Sequence, residues 1–245
     1  MKTTCKKSND GKHWIINGSK MWITNSNEAD FFVVFAQGDP SKGYKGISAF
    51  AVEKSMGVEI AKKERKLGIK ASSTCTVNFD EVKIPIENLV GEEGKGYKIA
   101  IEILNEGRVG IGAQMVGLAE GAWEKSVKYA FDRKQFGKPV ASFQGMQFQM
   151  AQALTEIEAA KALVYNAARL KEEGRPFTKQ AAMSKLYSSQ VAQRVSGRAV
   201  EWAGGQVSKP ILLHKRRPLH ATLTPSPRCP LPIFPPAGLH TRDGH

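Results

Sequence analysis

The residue types that most often carry metal or redox chemistry are few and widely spaced in this chain. The three cysteines, Cys5, Cys75 and Cys229, are odd in number and include no CxxC pair. This pattern argues against a disulfide framework and against a zinc site. Four of the five histidines follow residue 205, without the spacing of metal ligands. We therefore expect no metal site, and free thiols favour a reducing compartment.

Short motifs for nucleotide binding and nucleophilic catalysis are also lacking. We find no GxGxxG after a predicted strand, no GxxxxGK[ST] phosphate loop and no GxSxG elbow. Two polar features remain, namely the run Asn105–Arg108 inside an apolar helical pattern and Arg133 at the end of that pattern. On pattern alone the run is a polar interruption of a helix surface, and Arg133 is a solvated charge favoured by the helix dipole.

The chain is basic, with a formal net charge of +13 over 245 residues. Residues 206–245 contribute +5 of this charge, from six basic residues and one aspartate. The rest is spread through a body of mixed charge, which fits solubility and attraction to anionic ligands. We expect no nucleic-acid partner, although the basic tail keeps nucleic-acid association open as a competing hypothesis.

Residues 1–91 are predicted to form an antiparallel, barrel-like β domain, because β-branched and aromatic runs alternate with turn residues there. Residues 13–16 and 20–24 flank Asn17-Gly18, which predicts a hairpin with a type I′ turn. Residues 31–36 predict a strand buried on both faces. Further strands are predicted at 46–52, 58–60 and 75–79.

Residues 92–205 change to a helical period and are predicted to form an antiparallel bundle, which makes the fold class α+β. The three helices are predicted from near Tyr97 to Asp132, from Phe143 to Glu173, and from near Pro176 to Gly204-Gly205. Residues 206–245 hold eight of the twelve prolines and predict a disordered tail. Neither a signal peptide nor an apolar run of about 18 residues is present, so we expect no membrane span.

Several stretches together resemble the acyl-CoA dehydrogenase family almost without gaps from residue 8 to 205. They are NGSKMWITN (17–25), EVKIP with NLVG (81–91), LNEGR (104–108), YAFDRKQFG with FQG (129–145) and EWAGG (201–205). The short/branched-chain group of that family is suggested by GYKG (43–46), KLG (66–68) and ASSTC (71–75).

The resemblance implies an activity and its partners. The family uses FAD to oxidise an acyl-CoA thioester to its trans-2-enoyl form, and a carboxylate removes the α-proton while the β-hydrogen leaves as hydride. It further implies a homotetramer, electron-transfer flavoprotein as the acceptor and a mitochondrial matrix location. The metabolic setting would be the catabolism of fatty acids and of branched-chain amino acids such as isoleucine.

The resemblance also assigns cofactor-binding residues. They are Trp22, Ile23, Thr24, Arg133, Gln135, Phe136, Gln144, Glu201, Trp202, Ala203, Gly204 and Gly205. Trp22 and Thr24 would lie beside the isoalloxazine ring, whereas Arg133 and its neighbours would reach the pyrophosphate from another subunit. The Glu201–Gly205 segment would contact a flavin through backbone groups. Without the resemblance, Trp22 and Thr24 are ordinary strand residues and Gly204-Gly205 is an ordinary helix stop.

The acyl-CoA side is assigned in the same way to residues on one loop and one helix. They are Tyr44, Tyr97, Asn105, Glu106, Gly107 and Arg108.

The chain departs from the family at both ends, as far as the resemblance goes. We expect the N-terminal helical domain to be missing, together with the Tyr-Glu-Gly helix that carries the catalytic glutamate of most members. Some relatives place the base at the position of Gly107, and the neighbouring Glu106 is a weak substitute because a helix turns by about 100° per residue. We therefore expect an inactive, truncated form, or else a truncated non-catalytic subunit that binds the full-length enzyme.

Overall fold

The structure, a computed structural model, describes residues 1–208. The predicted disordered tail beyond Ser208, with its four histidines and Cys229, lies outside the described residues. Met1–Trp202 form one compact unit, and Ala203 begins a second. In that second unit, Gly204–Ser208 form a short 3-10 helix.

The chain is of the mixed α+β class, with strands followed by helices. The strands are β1 (Thr4–Lys7), β2 (His13–Thr24), β3 (Phe31–Gln37), β4 (Ile47–Glu53), β5 (Glu59–Lys63), β6 (Thr74–Pro85), β7 (Leu89–Val90), β8 (Lys134–Gln135) and β9 (Lys138–Pro139). The α-helices are α1 (Gly96–Asp132), α2 (Gln144–Glu172) and α3 (Thr178–Ala203).

Strands β1–β7 form one sheet in the order β5-β6-β2-β1-β3-β4-β7. All neighbours are antiparallel except β1 and β3, which make a single parallel pairing, Thr4 with Gln37. The predicted barrel closure is not seen, since the edge strands β5 and β7 of the described sheet do not pair with each other. With only two residues, β7 offers β5 little edge to pair with.

The predicted hairpin at Asn17-Gly18 is wrong, because β2 continues through both residues as one strand alongside β6. They lie at an irregularity in the β2–β6 pairing, where the Asn17 side chain accepts the backbone N–H of Glu81 at 2.8 Å. Gly18 has φ +128°, and a Cβ there would lie 2.9 Å from Thr3 Cα. Gly18 therefore permits a bulge in β2 and the close approach of Thr3, and it does not form a tight turn.

The prediction that residues 31–36 are buried on both faces is also wrong. Burial alternates along β3, with Phe32, Val34 and Ala36 in the core and Phe31 and Val33 exposed. An apolar run cannot distinguish a doubly buried strand from one whose outer face borders a cavity.

The predicted helices are confirmed, each within about two residues at its start. Alanines dominate the seam between the helices, and Ala119, Ala153 and Ala160 are fully buried. Small side chains let the helix axes approach closely. Within the described residues, no helix combines the length and apolar content that crossing a bilayer requires.

Gly96 lies where the first turn of α1 packs against strand β4 of the sheet. A Cβ at Gly96 would lie 2.6 Å from the carbonyl carbon of Ser48 on β4. The Ser48 hydroxyl also accepts the backbone N–H of Gly94 at 2.9 Å. These contacts fix the start of α1 against β4, and with it the position of Tyr97.

Replacing Gly96 with alanine should therefore destabilise the protein. We expect Gly96→Ala to lower the free energy of unfolding by about 1–3 kcal/mol, because backbone atoms must shift to admit the methyl group. Gly117→Ala is the matched control, since Gly117 lies inside α1 with no atom near the added Cβ. That change should be neutral or stabilise by up to about 1 kcal/mol. Urea denaturation measures both, and equal stability of the two variants would contradict the assignment.

Candidate functional site

A largely apolar cavity of about 530 Å³ lies against the sheet and the first turn of α1. Its walls include Lys20, Ile23 and Thr24 from the second half of β2, and Val33 from the outward face of β3. The exposed apolar face of β3 thus borders a concave space. A cavity with few polar groups is the usual form of a small-molecule site.

This cavity brings together residues from both predicted sets. Thr24, predicted for the flavin, and Tyr97, predicted for the substrate, line the same space. The Tyr97 ring contacts that of Tyr44, with centroids 5.1 Å apart. Ile23, between Trp22 and Thr24, is partly buried against the core of the sheet. Thr24, Tyr97 and Tyr44 therefore form the part of the predicted site that one chain assembles.

Trp22 lies at a second irregularity of β2, between Lys20 and Ile23. Its φ is +57°, in the left-handed region, and its side chain is 68% exposed. A non-glycine residue in that region costs on the order of 1–3 kcal/mol, and such residues cluster at functional sites. The bulge presents the indole to the outside, where a planar ring can stack on it.

Lys20 is a cavity residue that the sequence analysis missed. Strand β1 pairs with β2 only as far as Asn17, so the next residues of β2 lack a β1 partner. There the Lys20 ammonium donates a hydrogen bond to the carbonyl of Phe35 on β3 at 2.7 Å. Burial lowers the pKa of Lys20 below its usual value. In the sequence, the only sign of this role is a lysine at a position that the alternation of inward and outward side chains places on the inner face of β2.

The polar run on α1 splits between two faces of the helix. Asn105 is buried and accepts a hydrogen bond from the Arg108 guanidinium at 2.7 Å. By helical geometry Arg108 lies within about 20° of Tyr97 around the axis, whereas Glu106 lies about 180° away. Glu106 is indeed paired with Lys171 of α2, at 2.8 Å. Gly107 is exposed, with no atom near the place of a Cβ.

Arg133 leads into a separate, exposed hairpin that contains Gln135 and Phe136, whereas Gln144 begins α2. Strands β8 and β9 are joined by Phe136 and Gly137, with φ values of +51° and +79°. Phe136 is 93% exposed, and its ring packs edge-on against Phe143 at 6.3 Å. The Arg133 guanidinium makes no hydrogen bond or ion pair with any described residue. Gln135 and Gln144 are likewise exposed.

The last predicted cofactor segment, Glu201–Gly205, follows the end of the bundle. The Trp202 indole is buried and donates to Gln149 Oε1 at 3.1 Å, so this side chain belongs to the bundle core. Glu201 is exposed. Beyond it, α3 ends at Ala203, and Gly204 takes φ +54° at the helix stop next to Gly205. Any ligand contact of the segment would therefore come from its backbone or from Glu201.

The structure does not bring the predicted cofactor residues into one place. Tyr97 lines the same cavity as Thr24, and it lies near the opposite end of α1 from Arg133. The two are about 50 Å apart along a helix that rises 1.5 Å per residue. Among the described residues, no hydrogen bond, ion pair or ring contact joins the cavity to the hairpin. The predicted site residues of one chain therefore lie in separate places.

Comparison with known proteins gives consistent matches. Residues 1–82 match the family model described as acyl-CoA dehydrogenase, middle domain, and residues 94–215 match acyl-CoA dehydrogenase, C-terminal domain. The mitochondrial short/branched chain specific acyl-CoA dehydrogenase of Rattus norvegicus is 50% identical over 206 residues, covering 84% of this chain and 47% of the rat protein.

Two solved structures are similar at both the sequence and the fold level. Butyryl-CoA dehydrogenase from Megasphaera elsdenii is 47% identical with a TM-score of 0.82, over 85% of this chain and 54% of that one. A chain from work on the electron transferring flavoprotein of Acidaminococcus fermentans is 48% identical with a TM-score of 0.81, over 84% of this chain and 54% of that one. The chain spans about half the length of the curated relatives it matches.

The lowered pKa of Lys20 predicts a pH effect. Since the folded-state pKa lies below 10.5, the unfolded chain binds more protons than the folded chain as pH rises towards that value. The contribution of Lys20 to the free energy of unfolding must therefore increase with pH. We expect the free energy of unfolding of the wild type to rise relative to that of Lys20→Met between pH 8 and pH 10. Denaturation curves at both values measure it, with the exposed Lys125→Met as the control. A difference that shrinks would contradict the assignment.

Proposed function

The chain belongs to the acyl-CoA dehydrogenase family, and we propose that it serves FAD-dependent α,β-dehydrogenation of short or branched-chain acyl-CoA thioesters. The observation that supports this proposal most directly is the cavity that Thr24, predicted for the flavin, and Tyr97, predicted for the substrate, line together. Within this proposal, residues 1–91 act as the β middle domain and residues 92–205 as the helical domain.

The residues around the cavity suit a flavin. FAD, when bound, supplies the acceptor for the hydride that leaves the substrate. The Trp22 indole would lie against its ring system, and the Thr24 hydroxyl can donate or accept a hydrogen bond. The bulge that exposes Trp22 holds an uncommon backbone conformation, which supports a binding role for this position.

The acyl-CoA would lie along the face of α1 that begins at the cavity. Tyr97, Ala100, Leu104 and Arg108 follow one another at helical spacing on that face. Tyr97 and Ala100 line the cavity, and Leu104 is exposed beyond it. The Asn105–Arg108 hydrogen bond holds the guanidinium ready for a polar group of the thioester ligand.

The exposed hairpin suits a negatively charged partner from another subunit. Arg133 can pair bidentately with a pyrophosphate, flanked by Gln135, Phe136 and Gln144. Because α1 separates this hairpin from the cavity of the same chain, a flavin that uses both must lie between two chains. We therefore propose a homo-oligomer, a tetramer by family, with the Glu201–Gly205 backbone completing a flavin contact.

The family also suggests the cellular context. We propose electron-transfer flavoprotein as the electron acceptor, in line with the description of one similar structure. We propose the mitochondrial matrix as the location, because a relative at 50% identity is named as mitochondrial.

A non-catalytic subunit that joins full-length enzyme is a second candidate function. The observation that favours it is the set of large apolar side chains exposed along the three helices. These include Ile103, Leu118, Phe148, Tyr165, Leu186 and Val200. Large apolar side chains left exposed on helices can become buried against another chain. Co-purification of the chain with an intact relative, without gain of turnover per flavin, would distinguish this role.

Flavin binding tests the main proposal. Trp22→Ala should weaken FAD binding about ten-fold or more, because a stacking surface is lost. Thr24→Val should retain binding but shift the flavin absorbance, since a hydrogen-bonding group is removed. Met21→Ala is the matched control, because Met21 lies at the same bulge and is also exposed. Titration of FAD with the 245-residue chain, alone and with an intact relative, measures all three. Failure of the wild type to bind FAD in either setting would end the proposal.

Turnover tests the role of Glu106. We propose that the 245-residue chain alone has little dehydrogenase activity, because no carboxylate is among the described residues that line the cavity and a general base contributes about 10²–10⁴-fold or more. Glu106 points away from Tyr97 and is held by Lys171, so Glu106→Gln should leave any enoyl-CoA formation unchanged. Steady-state assay of both chains measures this. A further loss of about ten-fold in the variant would identify Glu106 as the base instead.

A further inference from the structure

The apolar cavity holds one basic side chain for which the proposed dehydrogenation has no use. Among the described residues that line the cavity, Lys20 and Tyr97 are the only two with ionisable side chains. None of these lining residues carries a carboxylate, and most of them are aliphatic or aromatic. A cation in such surroundings loses hydration without gaining a counter-charge.

The contacts of the Lys20 side chain are compatible with a neutral amine. Its nitrogen donates a hydrogen bond to the Phe35 carbonyl at 2.7 Å and lies 3.0 Å from Met1 Sδ. Both acceptors are uncharged, so an amine can keep these contacts as well as an ammonium can. Burial also lowers the pKa of Lys20, which raises the fraction of the side chain that is unprotonated near neutral pH. Desolvation in an apolar pocket is a usual way to activate a lysine as a nucleophile.

The surroundings of Lys20 indicate the kind of electrophile that would reach it. Val77, its partner on β6, lines the cavity together with Ile23 and Val33, and these side chains offer a hydrocarbon chain an apolar wall. An activated carbonyl on such a chain would be confined with the amine in a space of about 530 Å³. Confinement of this kind raises the effective concentration of the two reacting groups. A thioester with a short apolar acyl chain has both features.

We propose that Lys20 is an acylation site, which takes the acyl group of a thioester held in the cavity and becomes an amide. Acyl-CoA as the donor rests on the proposed function, whereas the reactivity of Lys20 towards thioesters does not. The reaction needs no flavin.

The step balances without any further reagent. The nitrogen lone pair of Lys20 forms a bond to the thioester carbonyl carbon, and the carbon–sulfur bond breaks. The sulfur leaves with the bonding electrons and takes up the proton that the nitrogen loses, so the products are an amide and a free thiol. Nothing is oxidised or reduced. The amide N–H can still donate to the Phe35 carbonyl, and the buried cation is removed.

Site-resolved mass spectrometry of the 245-residue chain tests this site. The chain is incubated with butyryl-CoA, or with S-butyryl-N-acetylcysteamine, which carries the same thioester without a nucleotide. We expect the butyryl adduct to form on Lys20 about ten-fold faster than on Lys125, an exposed lysine of α1. Lys20→Arg should lose the fast adduct, and Lys125→Arg should keep it. S-propyl-CoA, a thioether that cannot transfer an acyl group, should protect Lys20 from butyryl-CoA.

The two thioesters separate this inference from the proposed function. Reaction of Lys20 no faster than that of Lys125 with both thioesters overturns the inference. So does an adduct on the α-amine of Met1, which also lines the cavity, in place of Lys20. Fast reaction with the small thioester, without protection by S-propyl-CoA, would leave the acylation site standing and refute acyl-CoA as the ligand of the cavity. Calorimetric binding of butyryl-CoA with no adduct on Lys20 would leave the proposed function standing and refute the acylation site.

Discussion

The pairing of β2 with β6 is the constraint on which the rest of the structure depends. It runs the length of β2, from His13 opposite Pro85 to Thr24 opposite Thr74, and absorbs two irregularities on the way. On its other side β2 has a partner only up to Asn17. The second half of the strand is therefore ordered from one edge, and Lys20 supplies a bond across the opening to β3. The cavity and the exposed indole of Trp22 both lie along this half of the strand, which is supported from one side.

Helix α1 extends the site away from the sheet. Its first residue touches β4 so closely that only glycine fits, and the next residue, Tyr97, faces the cavity. The small residues of the bundle seam then hold the helix in a fixed rotation against α2. Because rotation decides which side chains share a face of the helix, that packing sets Arg108 on the same side as Tyr97 and Glu106 on the side of Lys171.

The sequence predicted the helices well, because apolar residues repeat over many turns in α1, α2 and α3. It failed at Asn17-Gly18, since the same dipeptide suits a tight turn or a bulge, and only the distant Glu81 decides between them. It failed at β3 because the solvent side of an apolar strand depends on the neighbouring elements. The family resemblance supplied the predicted site residues, but not the distance between those near Tyr97 and those near Arg133, which follows from the length of α1. Lys20 carried no motif of its own.

The length of α1 has a consequence for how a cofactor would be retained. If the proposed flavin site uses both the cavity and the exposed hairpin, the length of α1 obliges one flavin to be shared between two chains. Occupancy then obeys mass action in the polypeptide as well as in the ligand. Dilution would then favour release of the flavin together with separation of the subunits.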